Sequence, residues 1–200
     1  TCALPIFDQT LMGEYVDGMH IVYTEKPYVV FFNDTTGTLP VPTEYKQFPA
    51  DEFPTSETLT KLRALQNTEG VVITYQNTRT GQIFRQKHKT IWYVILRAIR
   101  ELISKRDKND SDLEAKVIQR IQSRSDQFLK LSAEEFENWK TLVPKFITWL
   151  RYSKYNAADL SPFSTVGMAY IWQAFTTARP ESATSESKTE YSNLDRKSVV

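Results

Sequence analysis

Hydrophobic and polar positions follow two rhythms along this chain, and the change comes near residue 90. Residues 20–32, HIVYTEKPYVVFF, hold two β-rich runs interrupted by Lys26 and Pro27, and Asn33 to Gly37 closes the second with turn chemistry. Residues 38–56 are rich in Pro, Thr and acidic residues and read as a surface loop. Thr55 or Ser56 is placed to cap a short helix near 57–67, with Leu59, Leu62 and Leu65 on one face. Glu69 to Tyr75 has a buried-strand pattern, Asn77 to Gln82 is a polar turn, and Ile83 to Lys89 is a second strand. The three segments predict a hairpin with a loop of about six residues.

After Lys89 the period becomes helical. Ile91, Val94, Ile95, Ala98, Ile99, Leu102 and Ile103 share one face, with Arg97, Arg100 and Glu101 on the other. A second helix is expected over roughly 111–130, with Leu113, Val117, Ile118, Ile121 and Phe128 inward. Ser132 and Glu135 form a capping box for a third, which carries Phe136, Trp139, Leu142, Val143, Phe146, Ile147 and Leu150. Pro144 is expected to kink or split it. A last helix fits about 164–178, with Met168, Ile171, Trp172 and Phe175. From Arg179 the chain is Ser/Thr/Glu/Lys-rich and reads as a disordered tail. The expected fold class is α+β: an antiparallel β-sheet region, then an all-helical domain, joined at residues 90–94.

Composition narrows the function classes. The 200 residues are 40% hydrophobic and 12% aromatic, enough for a core. No apolar run approaches the length that spans a bilayer, and no signal-peptide pattern opens the chain. One cysteine and two histidines argue against a disulfide framework and a Cys/His metal cluster. These features suit a cytoplasmic protein with no obligate protein partner and no membrane contact. The net charge of +1 is uneven: residues 1–68 carry −5, 69–94 carry +3, 95–154 carry +4 and 155–200 carry −1. The middle of the chain is the part suited to a polyanion, although a solvated helical surface has the same composition.

Lys87 and Lys89 lie two apart on a strand and so face the same way, with His88 opposite. Two like charges on one face repel unless an anion lies between them, and phosphate is the natural candidate. Glu69, at the start of the partner strand, has a carboxylate suited to a divalent cation or a ribose hydroxyl. The plainer alternative is an edge strand protected by lysines.

In its motifs the chain resembles the covalent nucleotidyltransferases, the superfamily of ATP-dependent ligases and RNA capping enzymes. Glu69-Gly70-Val71-Val72 resembles their motif IV and Lys87-His88-Lys89 their motif V. The continuation Thr90-Ile91-Trp92-Tyr93-Val94 resembles the T-even bacteriophage RNA ligase 1 type. Gly13-Glu14-Tyr15-Val16 resembles motif III, followed in the expected order by His20 to Tyr23, Pro27 to Val30 and Asp34 to Gly37. The resemblance covers residues 12–100; beyond them only helical character agrees.

The resemblance implies a division into residues 7–93, the C-terminal part of a nucleotidyltransferase domain, residues 94–178, a helical C-terminal domain, and the tail. It implies ATP and Mg2+ as cofactors. Glu69, Lys87 and Lys89 become catalytic residues, Lys87 and Lys89 at the α-phosphate and Glu69 positioning the metal. Glu14 is assigned to the ribose or the metal. Tyr23 is placed to stack on adenine, with a core tyrosine as the simpler alternative; His20 and His88 are expected to be structural or surface residues rather than catalytic ones. Arg97, Arg100, Lys105 and Arg106, within a wider basic set of Lys108, Lys116, Arg120 and Arg124, are the expected RNA contacts, tRNA included. Solvated cations, with Trp139, Trp149, Tyr152 and Tyr155 as core aromatics, are the alternative.

The implied activity is joining of an RNA 5′-phosphate to a 3′-hydroxyl through enzyme-AMP and RNA-adenylate, as in RNA repair. Phage or viral origin in an infected cell is compatible with it. The family's nucleophile, the lysine of a Lys-x-Asp-Gly motif, is missing from these 200 residues; Tyr15 stands two before the Asp17-Gly18 pair. The two ends, Thr1 to Ile6 and Asp195 to Val200, resemble translated sequencing adapters, which implies a piece of a longer gene. A chain of this kind is expected to be inactive alone in self-adenylation. A non-catalytic RNA-binding relative, or another nucleotidyltransferase such as a DNA ligase or capping enzyme, is the alternative.

Overall fold

The computed structural model describes residues 2–6, 9–17, 20–34 and 55–178. Helix and strand are mixed, as in the α+β class, with the helices concentrated after residue 90. Strands β1 (Cys2–Ile6), β2 (Gln9–Val16) and β3 (Tyr28–Asp34) form an antiparallel sheet in that order. Its register shifts at Met12/Gly13, where a bulge separates Met12 opposite Asn33 from Gly13 opposite Phe31. Residues 20–26 are not strand, so only the second of the two β-rich runs forms one; Lys26-Pro27 marks where it begins. The expected loop over 38–54 and the tail after 178 lie outside the described residues.

Helix α1 (Ser56–Arg63) starts at Thr55, whose side chain accepts from the Thr58 N–H. It buries no residue fully; Leu59 and Leu62 are partly covered and Leu65 is exposed. Strands β4 (Gly70–Gln76) and β5 (Ile83–Lys89) make the expected hairpin. Its loop is organised by Asn77, whose Oδ1 accepts from the Arg79 and Thr80 N–H groups. The buried-strand pattern of 69–75 is corrected. Val72, Thr74 and Gln76 are exposed, because the two-stranded ribbon covers only one of its faces.

The core is helical. Helix α2 (Ile91–Ile103) buries Ile95, Leu96, Ala98, Ile99 and Ile103. Helix α3 (Leu113–Arg124) buries Leu113, Val117 and Ile121, then opens into a π-helical turn, Ser125–Leu129. That turn corrects the expected inward Phe128, which is 49% exposed, while Leu129 is 3% exposed. An α-helix returns to the face of Ile121 after about seven residues, but one π turn adds a residue and brings position 129 there instead.

Helix α4 (Ala133–Tyr152) has the expected capping box, with Ser132 and Glu135 each bonded to the other's backbone. It runs unsplit through Pro144. Packing of its neighbours Val143, Phe146 and Ile147, all fully buried, holds it together there. Helix α5 (Gly167–Thr177) buries Met168, Ile171, Trp172 and Phe175, as its period predicts. Phe146 lies 5.0 Å from Trp172 and 5.3 Å from Phe175, ring centroid to centroid. Each such fully buried side chain contributes about 1.5–3 kcal/mol, so this cluster outweighs anything the open hairpin supplies.

Segments before residue 90 are fastened to this core. Ile21, 1% exposed, belongs to it, and the Ala169 N–H donates to the His20 carbonyl at 3.1 Å. The Arg63 guanidinium donates to the Leu129 carbonyl.

Candidate functional site

The site is built where the hairpin meets α2. Gly70 stands opposite Lys89 in the β4–β5 register, and its φ is +151°. A Cβ there would meet the His88 carbonyl oxygen at 2.1 Å and the Lys89 Cα at 2.8 Å, so only glycine lets the two backbones approach. Strict alternation puts Glu69 on the face of Val71 and His88. The turned backbone at Gly70 brings its carboxylate to the lysine face instead.

There the Glu69 Oε1 lies 2.7 Å from the Lys87 Nζ and 3.1 Å from the Lys89 Nζ. The anion between the two lysines is thus supplied by the chain itself. Burial pushes the Glu69 carboxyl up, but the hydrogen bonds and charges of Lys87 and Lys89 outweigh it and hold it below the ordinary value of 4.5. His88 is on the opposite side, its Nε2 buried without a hydrogen-bond partner among the described residues.

Thr90 anchors this corner and is fully buried. Its N–H donates to the Glu69 carbonyl at 3.0 Å, and its hydroxyl donates to the Thr68 carbonyl at 2.7 Å. The same oxygen accepts from the Tyr93 N–H at 3.1 Å and caps α2. One residue therefore fixes both the segment that leads into β4 and carries Glu69 and the helix that follows Lys89. Two residues before Glu69, Asn67 takes a left-handed φ of 51° and clasps the backbone of Tyr23. It accepts from the Tyr23 N–H at 2.7 Å and donates to the Tyr23 carbonyl at 3.1 Å.

Beside the triad opens a cleft of about 250 Å3 between α2 and the end of α3. Lys89, Tyr93, Arg97 and Glu101 recur every four residues along one wall, and Arg124 and Phe128 stand on the other. The Lys89 Nζ sits 5.1 Å from the Tyr93 ring centroid. The Arg97 Nε is 2.9 Å from Glu101 Oε1, a contact that raises the Arg97 pKa above its ordinary value.

The structure brings Glu69, Lys87 and Lys89 together and ties the Tyr23 backbone near them. Glu14 is exposed on β2 opposite Val30 and joins no ion pair with them among the described residues. Of the expected RNA contacts, Arg97 lines the cleft. Arg100 is half-buried, and burial lowers its pKa from the ordinary value. Lys105 and Arg106 follow the far end of α2, about 20 Å along its axis from Lys89. Arg106 also pairs with Asp110 at 3.5 Å.

Two more of the wider basic set are engaged within the fold. Lys108 donates to the carbonyls of Leu150, Ser153 and Tyr155 at the end of α4. Lys116 faces Asp110 and Asp112. Trp149 and Tyr155 are buried in the core, Trp139 packs 6.2 Å from Trp172, and Tyr152 is exposed.

Sequence reasoning passed over Gly70, Asn67 and Thr90 as site residues. A Thr directly before a helical period is a readable cap signal, but the reach of its hydroxyl to Thr68 is not. Arg124 counted only as one cation among several, and Phe128 was assigned to the core. No protein-family model, no curated protein and no solved structure matches this chain.

Proposed function

We propose that the Glu69–Lys87–Lys89 corner is the phosphate-gripping part of an adenylyl-transfer pocket, within an ATP-dependent RNA ligase that joins 5′-phosphate and 3′-hydroxyl ends. The observation that carries this reading is the convergence of both lysines on a single carboxylate oxygen at 2.7 and 3.1 Å. Two ammonium groups held that close are preorganised for a tetrahedral anion. Charge that develops on a transferring phosphoryl group is stabilised by such fixed cations. The triad keeps the order Glu-Gly, then Lys-x-Lys, on adjacent strands, which the ligase resemblance requires. The ligase-type sheet fold belongs to the same proposal.

The residues fit a nucleotide phosphate better than a free metal ion. A carboxylate already bearing two ammonium groups attracts little further positive charge. Of the two expected metal ligands, Glu69 is the one at this corner that would hold Mg2+ arriving with the nucleotide; Glu14 makes no ion pair with the corner among the described residues. The ion would supply further charge neutralisation at the phosphates. Lys87 and Lys89 orient the α-phosphate, and the Gly70 turn keeps Glu69 in reach of both. Covalent AMP transfer needs a Lys-x-Asp-Gly nucleophile, which these residues do not contain.

The test is nucleotide binding followed by calorimetry with Mg2+ present. ATP is expected to bind this chain, with Lys87→Ala and Lys89→Ala each weakening it at least tenfold. No covalent AMP should form on it with labelled ATP. Any longer protein that joins this chain to a Lys-x-Asp-Gly motif on the same sheet should become labelled and seal RNA ends in preference to DNA ends. Unchanged ATP binding in both lysine variants defeats the proposal. A second reading has its own observation: the triad is already charge-compensated, as an ion-pair staple for a two-stranded hairpin needs to be. On that reading Glu69→Gln lowers stability while ATP has no measurable affinity.

A further inference from the structure

We infer that the cleft between α2 and the π-turn seats one unpaired nucleotide of a single-stranded RNA, with its base on Phe128 and its flanking phosphates on Arg97 and Arg124. The choice of RNA rests on the reading above; the cleft itself rests on three observations of its own. The first is the π-turn. It takes Phe128 out of the core, where an uninterrupted α3 would have buried it, and leaves it 49% exposed at a cleft wall. A ring left half exposed at a cleft wall is accessible to a ligand, and π-turns recur at functional sites.

The second is charge. Lys89, Arg97 and Arg124 line the cleft, where Glu101, the one acid among its described lining residues, pairs with Arg97, and Glu69 pairs with Lys89 from outside it. The Arg124 guanidinium carbon lies 5.7 Å from the Phe128 ring centroid, so a cation and a stacking surface are presented together. Sequence-tolerant binding of single strands uses this pairing, cations tracking the backbone and aromatics under the bases. The third is size and position. About 250 Å3 falls just below the range of about 300–1,000 Å3 that takes drug-sized ligands, and suits one nucleotide unit. Lys89 belongs to both the cleft and the phosphate grip, so a strand seated here leads toward that grip.

The test is fluorescence anisotropy with a short labelled single-stranded RNA, on the whole 200-residue chain. Phe128→Ala should weaken binding by about tenfold, and Phe128→Trp should restore it. Arg97→Gln and Arg124→Gln should each flatten the dependence of log affinity on log salt by about 0.7, one phosphate contact apiece. Lys145→Gln, exposed on α4, should leave affinity unchanged. Thermal melting of Phe128→Ala checks that the fold is retained.

The inference is overturned if the RNA does not bind, or if it binds equally well to Phe128→Ala. It is also overturned if an acidic peptide binds with the same dependence on Phe128. Failure of the function proposed above looks different: ATP affinity is then insensitive to Lys87→Ala while RNA affinity still depends on Phe128.

Discussion

Glu69 and Lys87 meet at 2.7 Å although the alternation of β4, carried back one residue, would put them on opposite faces of the hairpin. Gly70 makes the contact possible, and Lys89 completes it from one position further along the same face. The triad is therefore a product of backbone conformation as much as of charge.

The first prediction concerns pH. Because the folded-state pKa of Glu69 is depressed, the stabilisation from its ion pairs is present above the ordinary value of 4.5 and lost as pH falls through the folded value. The lysines are 45% and 39% exposed, so solvent screening keeps the effect to about 0.5–1 kcal/mol. Urea melts of wild type and Glu69→Gln should differ by that much at neutral pH and converge in acid. A constant difference across the range would contradict the assignment.

Gly70→Ala should open the hairpin at its base. The new Cβ meets the His88 carbonyl oxygen, a backbone atom that cannot swing aside, and the positive φ adds strain, for a loss of at least about 1 kcal/mol. Amide hydrogen exchange should show protection lost along β4 and β5 while the α2–α5 core keeps its own. Retained protection in the hairpin would show that the backbone can relax around the methyl group.

Thr90→Val keeps the shape of the side chain and removes its hydroxyl. The cap of α2 and the bond to the Thr68 carbonyl go together, a loss of about 1–2 kcal/mol by thermal melting. Thr90→Ser should recover most of it, because the hydroxyl is what both bonds need.

Lys108→Met should destabilise the helical core by about 2 kcal/mol, since three carbonyls at the end of α4 lose one charged donor. Were Lys108 an RNA contact instead, the variant would lose RNA affinity and keep its melting temperature.

The π-turn gives a paired prediction. Leu129→Ala should cost about 2–5 kcal/mol as a buried leucine, whereas Phe128→Ala should change stability by less than about 1 kcal/mol. Similar losses for the two would mean that the helix continues without the inserted residue.

The helical half was legible from the chain alone. Positions such as Ile95, Ile99, Val117, Phe146 and Phe175 were assigned to the interior, and all are buried. So were the starts of α1 and α4, because Thr55 and Ser132 act on N–H groups only three residues away, whereas the cap at Thr90 emerged from the structure. Helical burial is a local property: a period of 3.6 residues maps sequence position directly onto a face. The prediction failed at Phe128 for that same reason, since the mapping assumes a constant period and the π-turn inserts a residue.

Charge followed another logic. The sequence by itself determined that Lys87 and Lys89 share a face and need an anion, and that residues 69–154 are basic. Only the tertiary structure decided that the anion is Glu69, that Lys108 caps α4, and that Arg97 and Arg124 line one cleft with an exposed aromatic ring. An ammonium or guanidinium on a long side chain reaches partners dozens of residues away. Its availability to a ligand is settled by which carbonyl or carboxylate the fold brings within about 3 Å, a distance that no periodicity encodes.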